Sequence, residues 1–246
     1  MVRYGTTQRA LRIFYLCQGS RRSIELHTMV AKLLFLSKRA RPDLQTAIAF
    51  LCTRVKEPDI DDYKKLSRVI KHIRATKELH LTLEAESLSV IQWWIDASFA
   101  VHDDLRSHTG QFMTLGNGAM YSNSSKQKNN TKSSTEAELV GVNDGLPQVA
   151  WTRYFLEAQG YKIHDSVVKQ DNMSSMLLEN NGKGSSSKRT KHMAVRYFFI
   201  TDRINAKEVR VEYCPTDMMI ADYFTKALQG KQFRLLRDHI LNIQAT

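Results

Sequence analysis

SSTEAELVGVNDGL, Ser133 to Leu146, opens a helix and carries two glutamates, only one of which is needed to start it. Ser133 and Glu136 have the S-x-x-E spacing of a capping box, which accounts for Glu136. Glu138 lies roughly 200° further round the helix at 3.6 residues per turn. It shares a stripe with Leu139, Val142 and Leu146. An acid on the apolar side of an amphipathic helix has two explanations. One is an ion pair with a nearby lysine. The other is a metal site, which depends on what the rest of the chain brings to the same place.

Outward from this helix the pattern alternates between strands and helices. On its N-terminal side, Ile91 to Ala100 and Gln111 to Leu115 read as strands, and Gly116-Asn117-Gly118 marks a hairpin into Ala119–Ser125. Leu79, Leu81 and Leu83 alternate ahead of them. On its C-terminal side, Pro147 is expected to kink or break the helix, leaving Gln148 to Gly160 as a second one with Trp151, Tyr154 and Phe155 buried. Ser166 to Lys169 is a short strand ending at Asp171, and Asn172 to Glu179 is helical. A Ser/Gly-rich loop from Gly182 to Ser187 leads to an aromatic-rich helix, Arg189 to Ile204. Glu208 to Tyr213 is a strand, Pro215-Thr216 opens a helix through Asp222, and Lys231 to Leu241 is a basic amphipathic helix. Strands, helix, strand, helices, strand, helix predicts a mixed sheet covered by helices.

The first third has a different period. Met29, Val30, Leu33, Leu34 and Leu36 form one helical stripe, and Leu44, Ile48, Leu51 and Val55 a second. Asp59 to Asp62 start a third helix with Leu66, Val69, Ile70 and Ile73 inward. The Asp61-Asp62 pair is read as helix-start acids that suit the dipole, not as a polymerase-type metal pair. Residues 1–85 are thus expected to be a small α-helical region with a basic face, and 90–242 an α/β domain.

Composition narrows the partners. The chain has 246 residues, 42% of them hydrophobic, with 36 basic against 25 acidic side chains and a formal charge of +11. Such an excess points to nucleic acid, through phosphate neutralisation. No apolar run approaches the roughly 20 residues that span a bilayer, so no membrane partner is expected. Three cysteines, Cys17, Cys52 and Cys214, lie far apart and imply a reducing, cytoplasmic setting and not a secreted one. The first 24 residues hold five arginines and no acid, but their apolar run is short and interrupted for a targeting segment.

Four acids stand at diagnostic places: Asp96 in the strand WWIDAS, Glu138 on the quoted helix, Asp171 at a strand end and Asp222 on the helix after the last strand. Singly, each has a plain alternative. Asp96 could face water, Asp171-Asn172 could be a helix cap, and Asp222 could pair with Lys226 at i,i+4. Together they lie where sites assemble on α/β sheets. Clustered carboxylates are hard oxygen ligands for Mg²⁺ or Mn²⁺ and cannot all ionise cheaply without a cation. Two such ions about 3.5–4 Å apart suit phosphodiester hydrolysis.

The blocks IDASFAVH, RSHTG, SSTEAELVG, QDNMS, SSSKRTKHM, RYFFI, YCPT and IADYFTK, over about Ile91 to Leu241, resemble the ribonuclease H domain of copia-type retrotransposon Pol polyproteins. Upstream, MVAKLLFLSKRARPDL, FLCTRV and KLSRVIKHIRAT resemble the helical thumb and connection region that precedes it. The resemblance implies a ribonuclease H-like mixed five-stranded sheet flanked by helices. It also implies two Mg²⁺ ions (or Mn²⁺) on Asp96, Glu138, Asp171 and Asp222, and hydrolysis of the RNA strand of an RNA–DNA hybrid. Glu138 is preferred to Glu136 because Glu138-Leu139-Val140-Gly141 matches the family's E-L-x-(A/G) pattern. The Y-x-D-D hairpin of the polymerase is absent, so no DNA synthesis is expected. Cellular relatives carry a histidine shortly before the last aspartate. Residues 207–219 contain none, and His192, some thirty residues earlier, is read as structural or backbone-binding.

Lys126, Lys188, Arg189, Lys191 and His192 are the candidates for gripping nucleic acid. The expected partners are an RNA–DNA hybrid and the polymerase part of the same polyprotein, in cytoplasm, virus-like particle or nucleus. Two alternatives remain: a non-catalytic hybrid-binding fragment of a degenerate element, and a DNA-cutting integrase or exonuclease. The second is disfavoured by the acid order, since an integrase places its glutamate last.

Overall fold

The computed structural model describes residues 20–182 and 194–243. Three helices come first: α1 (Ser20–Arg39), α2 (Gln45–Cys52) and α3 (Ile60–Ala75). Their inward residues, among them Leu26, Val30, Leu33, Ile48, Leu51, Leu66 and Val69, form one apolar cluster. The α3 start is a reciprocal capping box. Asp59 accepts from the Asp62 N–H at 2.8 Å, and Asp62 accepts from the Asp59 N–H at 3.0 Å. Asp62 is therefore a helix-start acid, and it also pairs with Arg54 at 3.2 Å. Val55, expected on the second helix, falls beyond its end at Cys52.

The Leu79–Leu83 alternation does not make a strand of any length. Only β1 (Glu84–Ala85) pairs, with β4 (Gly116–Asn117). Leu81 packs on the core and the Thr82 N–H donates to the Leu241 carbonyl at 3.0 Å, so a helix end, and not a ladder, holds this segment. The main sheet contains β2 (Val90–Ser98), β3 (His108–Thr114), β5 (Tyr121–Lys126), β6 (Asp165–Gln170) and β7 (Arg210–Tyr213). Its order is β5-β3-β2-β6-β7, antiparallel from β5 to β2 and parallel from β2 to β7. This is the mixed five-stranded sheet expected from the sequence, with β2 in its centre.

Helices cover both faces. On one side α4 (Ser134–Ala158), α5 (Met173–Asn181) and α6 (Ala194–Asn205) enclose a core with Ile91, Trp93, Ile95, Leu139, Val142 and Leu146. On the other, α7 (Asp222–Thr225) and α8 (Gly230–Leu241) pack over Trp94 and Phe112. Trp93 and Trp94 thus point to opposite faces, and both are buried. Each large side chain so buried contributes about 1.5–3 kcal/mol.

Two expectations about α4 are corrected. Pro147 neither breaks nor ends it: one helix of 25 residues runs from Ser134 to Ala158. Leu139, Val142, Leu146 and Val149 are all buried on the same core, and that continuous apolar stripe offsets the backbone hydrogen bond that proline cannot donate. The buried stripe then continues through Thr152 and Leu156. Trp151, Tyr154 and Phe155 therefore face outward, 57%, 44% and 47% exposed. A third correction concerns the segment before Asp222. A 3₁₀ turn (Thr216–Met218) is followed by an extended Met219, and α7 starts only at Asp222. The break turns Met219, Ile220 and Ala221 into the core.

The first three helices lie against the sheet. Gln45 donates to the Ser122 hydroxyl at 2.6 Å, Lys38 donates to Asn123 at 2.7 Å, and the Tyr223 hydroxyl donates to the Asp43 carbonyl at 3.0 Å. Phe50 stacks on His102 and His108, with centroids 4.7 Å away in each case. Burial, reinforced by His102, pushes His108 down to about 3, so it is neutral at ordinary pH.

Candidate metal centre

The quoted helix begins as its sequence predicts, with one difference. The Ser133 hydroxyl accepts from the Glu136 N–H at 3.2 Å, but the Glu136 carboxylate reaches one residue further back, accepting from Lys132 N–H at 2.8 Å. Glu136 is occupied at the helix start, and Glu138 points into the protein, 5% exposed. It is turned toward the C-terminal part of β2, where the Ala97 N–H favours its charged form.

Asp96 arrives from β2. By alternation it shares the face of Trp94, and it sits opposite Gly110 of β3. Its carboxylate accepts from the Thr225 hydroxyl of α7. Asp171 is the first residue after β6 and accepts from Thr216 at 3.1 Å. The helix cap foreseen at Asp171-Asn172 is made by Asn172, which accepts from the Ser175 N–H at 3.1 Å and leaves Asp171 to the acidic group. Asp96, Glu138 and Asp171 each offer an oxygen within 4.8 Å of the others.

Asp222 stands beside this group without joining it as a fourth equal member. It is buried at the start of α7, and its carboxylate receives the Lys226 ammonium at 2.6 Å. The i,i+4 ion pair foreseen as its plain alternative is therefore present, but Asp222 also lies close enough to Asp96 for its charge to bear on it. An open cleft is lined by Asp96, Glu138, Asp171, Lys226, Tyr213 and Met173, among others.

Crowding shows in the proton affinities. Burial first, then the charge of Asp222, pushes Asp96 up to about 6, against the Thr225 hydroxyl and Lys226. Glu138 is raised well above the usual carboxylate range by burial and by the charges of Asp96 and Asp171. Asp222 is raised by burial, with Lys226 opposing. One Glu138 oxygen, Oε2, is buried and has no hydrogen-bond partner among the described residues. Three converging carboxylates with an unsatisfied buried oxygen are a hard-oxygen donor set of the kind Mg²⁺ or Mn²⁺ takes. The residues fit such an ion.

The proposed nucleic-acid contacts are placed less fully. Lys126 ends β5 and pairs with Asp104 at 2.7 Å. Lys188, Arg189, Lys191 and His192 lie outside the described residues. Sequence reasoning passed over Thr216 and Thr225, whose hydroxyls orient Asp171 and Asp96. It also treated Lys226 only as a partner of Asp222. The signal for Thr225 and Lys226 is their spacing, three and four residues after Asp222, which returns both to the acid's side of one helical turn.

No protein-family model matches the chain. The retrovirus-related Pol polyprotein from transposon TNT 1-94 of Nicotiana tabacum is 25% identical over 222 residues, 90% of this chain and 16% of that polyprotein. The one from transposon RE2 of Arabidopsis thaliana is 30% identical over 212 residues, 85% of this chain and 14% of its own length. The chain therefore spans a small part of these relatives. Among solved structures, the foamy viral protease-reverse transcriptase in complex with RNA/DNA hybrid superposes with a TM-score of 0.51 at 10% identity, over 86% of this chain and 27% of that one. That likeness concerns the fold. Homologues of this chain include retrovirus-related Pol polyproteins from plant copia-type transposons, and its sheet and helices are ribonuclease H-like.

Proposed function

We propose that the chain is a metal-dependent nuclease that hydrolyses the RNA strand of RNA–DNA hybrids, with no polymerase activity of its own. The observation that carries this reading is the meeting of Asp96, Glu138 and Asp171, from three separate elements, within 4.8 Å. Asp222 is assigned as the fourth ligand, and the cations as Mg²⁺, with Mn²⁺ able to substitute. A pair of such ions supplies the positive charge that in-line displacement at a phosphodiester requires. The chain's own groups hold two of the carboxylates in place: Thr225 on Asp96 and Thr216 on Asp171. Lys226, at the rim of the cleft, balances Asp222 and offers an ammonium to a substrate phosphate. A chain with a net charge of +11 suits a polyanion. The foamy viral protein of similar fold was solved with an RNA/DNA hybrid, which accords with this substrate class. The polymerase part of a Pol polyprotein is the proposed partner.

Incubating the purified chain with labelled hybrid, duplex DNA and duplex RNA, each with Mg²⁺ or EDTA, tests the reading. Cleavage confined to the RNA strand of the hybrid and abolished by EDTA is expected. Asp96→Asn and Glu138→Gln should lose cleavage and keep hybrid binding. Binding without any cleavage by the unmodified chain would replace the nuclease with a hybrid-binding module.

A further inference from the structure

Outside the three clustered acids lies another buried carboxylate, near enough for its charge to bear on Glu138. Glu179, on α5, is 0% exposed. Its Oε1 accepts from the Ser175 hydroxyl at 3.0 Å, one turn earlier. With the Gln170 amide nitrogen turned toward it, Gln170 donates at 3.2 Å to Oε1 and 2.7 Å to Oε2. Among the described residues no cation pairs with it. Burial pushes Glu179 up to about 7, with Ser175 and Gln170 opposing. For packing alone an apolar side chain would be the less costly occupant.

What the carboxylate touches gives it a use. Gln170 is the residue before Asp171, and its carbonyl accepts from the Cys214 N–H at 2.7 Å. Asn172, the residue after Asp171, accepts from the N–H of the same Ser175 whose hydroxyl binds Glu179. A ring of hydrogen bonds through Gln170, Glu179, Ser175 and Asn172 thus brackets Asp171 on both sides. The ring is anchored to α6 as well, since Thr201 donates to the Glu179 carbonyl at 2.7 Å.

We propose that Glu179 is a positioning residue for the acidic centre: by holding Gln170 and Ser175 it fixes the turn that carries Asp171, and so sets the carboxylate spacing that a divalent cation requires. The inference rests on the metal-site reading above. Groups that orient ligands in this way change metal affinity by about 10–100-fold when removed.

Calorimetric titration of the intact chain with Mn²⁺ tests it, alongside melting curves in EDTA. Glu179→Ala should bind Mn²⁺ at least about tenfold more weakly than the unmodified chain. Gln170→Glu sets two buried carboxylates face to face and should also weaken binding. Adding Glu179→Gln to it reverses the pair and should restore most of the affinity. A folded Glu179→Ala with unchanged affinity would overturn the proposal and leave Glu179 a packing residue. If Glu179→Ala does not fold, the reversed pair decides: restored melting without restored affinity rejects the positioning role. Absence of Mn²⁺ binding by the unmodified chain would remove the metal-site reading itself, and this inference with it.

Discussion

Asp96→Asn should make the metal-free protein more stable, although it removes a side chain assigned to catalysis. Asp96 is buried beside Glu138, Asp171 and Asp222, and its carboxyl is raised from the usual 3.8 to about 6. A gap of about two units corresponds to about 3 kcal/mol of destabilisation once the group is ionised. Asparagine keeps the shape and an oxygen to accept the Thr225 hydroxyl bond, but carries no charge. In EDTA at pH 7 the variant should gain about 2–3 kcal/mol, roughly 5–10 °C in Tm for a chain of this length. The sign follows from the raised folded-state value. Stability from this group is fully present below about pH 3.8 and is lost as pH rises through about 6. The two proteins should therefore melt together near pH 4 and diverge between about pH 4 and 6, the variant higher. Excess Mg²⁺ should narrow or reverse the order, since a ligand at a hundred times its Kd adds about 2.7 kcal/mol to the form that binds it. Differential scanning calorimetry across this pH range, with EDTA and with Mg²⁺, measures both effects. A variant no more stable than the unmodified chain at pH 7 in EDTA, or a difference that ignores pH, would refute the crowding of carboxylates on which the metal reading stands.

Lys226→Ala should lower Tm in EDTA by the equivalent of about 1–2 kcal/mol, a figure discounted for the part-exposed ammonium. It should also enlarge the Mg²⁺-induced shift, because Asp222 loses its counter-charge; an unchanged Tm would mean that the pair at 2.6 Å contributes nothing. Pro147→Ala restores a backbone donor inside the long α4 helix and should raise Tm by the equivalent of about 1–3 kcal/mol. A fall in thermal melting would show that the ring packs better than the missing bond costs.

The parts legible in the sequence were those written in neighbouring residues. Asp59 to Asp62, read as helix-start acids, and Ser133 with Glu136, read as a cap, are local signals, and the structure places both at helix starts with its own bond partners. The placement of Glu138 on the inward stripe follows from helical angle alone. Where local rules competed with burial, burial won. Pro147 is tolerated because Leu139, Val142 and Leu146 before it and Val149 after it share one core. Trp151, Tyr154 and Phe155 read as core residues by size, but the register set by Leu139 and Val142 turns them outward. Leu79 to Leu83 has a strand period, yet no neighbouring strand is placed to pair with most of it. Least legible was the placement of Asp222, since the groups that fix it come from distant parts of the chain.

A helix of four residues cannot hold itself in water, so the position of α7 is set by what surrounds it. Gly110 of β3 allows the closest approach. A Cβ there would lie 2.7 Å from the Ala221 carbonyl oxygen and 2.8 Å from Phe224 Cβ, so a larger residue would displace the turn that carries Asp222. Ser124 donates to the Phe224 carbonyl at 2.7 Å, and Thr46 of α2 donates to the Tyr223 carbonyl. Tyr223 in turn donates to Asp43, beside the start of α2. Two strands and the upstream helices therefore converge on one short turn, and through it on the distance between Asp222 and Asp96. The three clustered acids belong to β2, α4 and the end of β6, whereas the fourth is set partly by residues from the first third of the chain. On this geometry the upstream helices are part of the scaffold of the acidic centre.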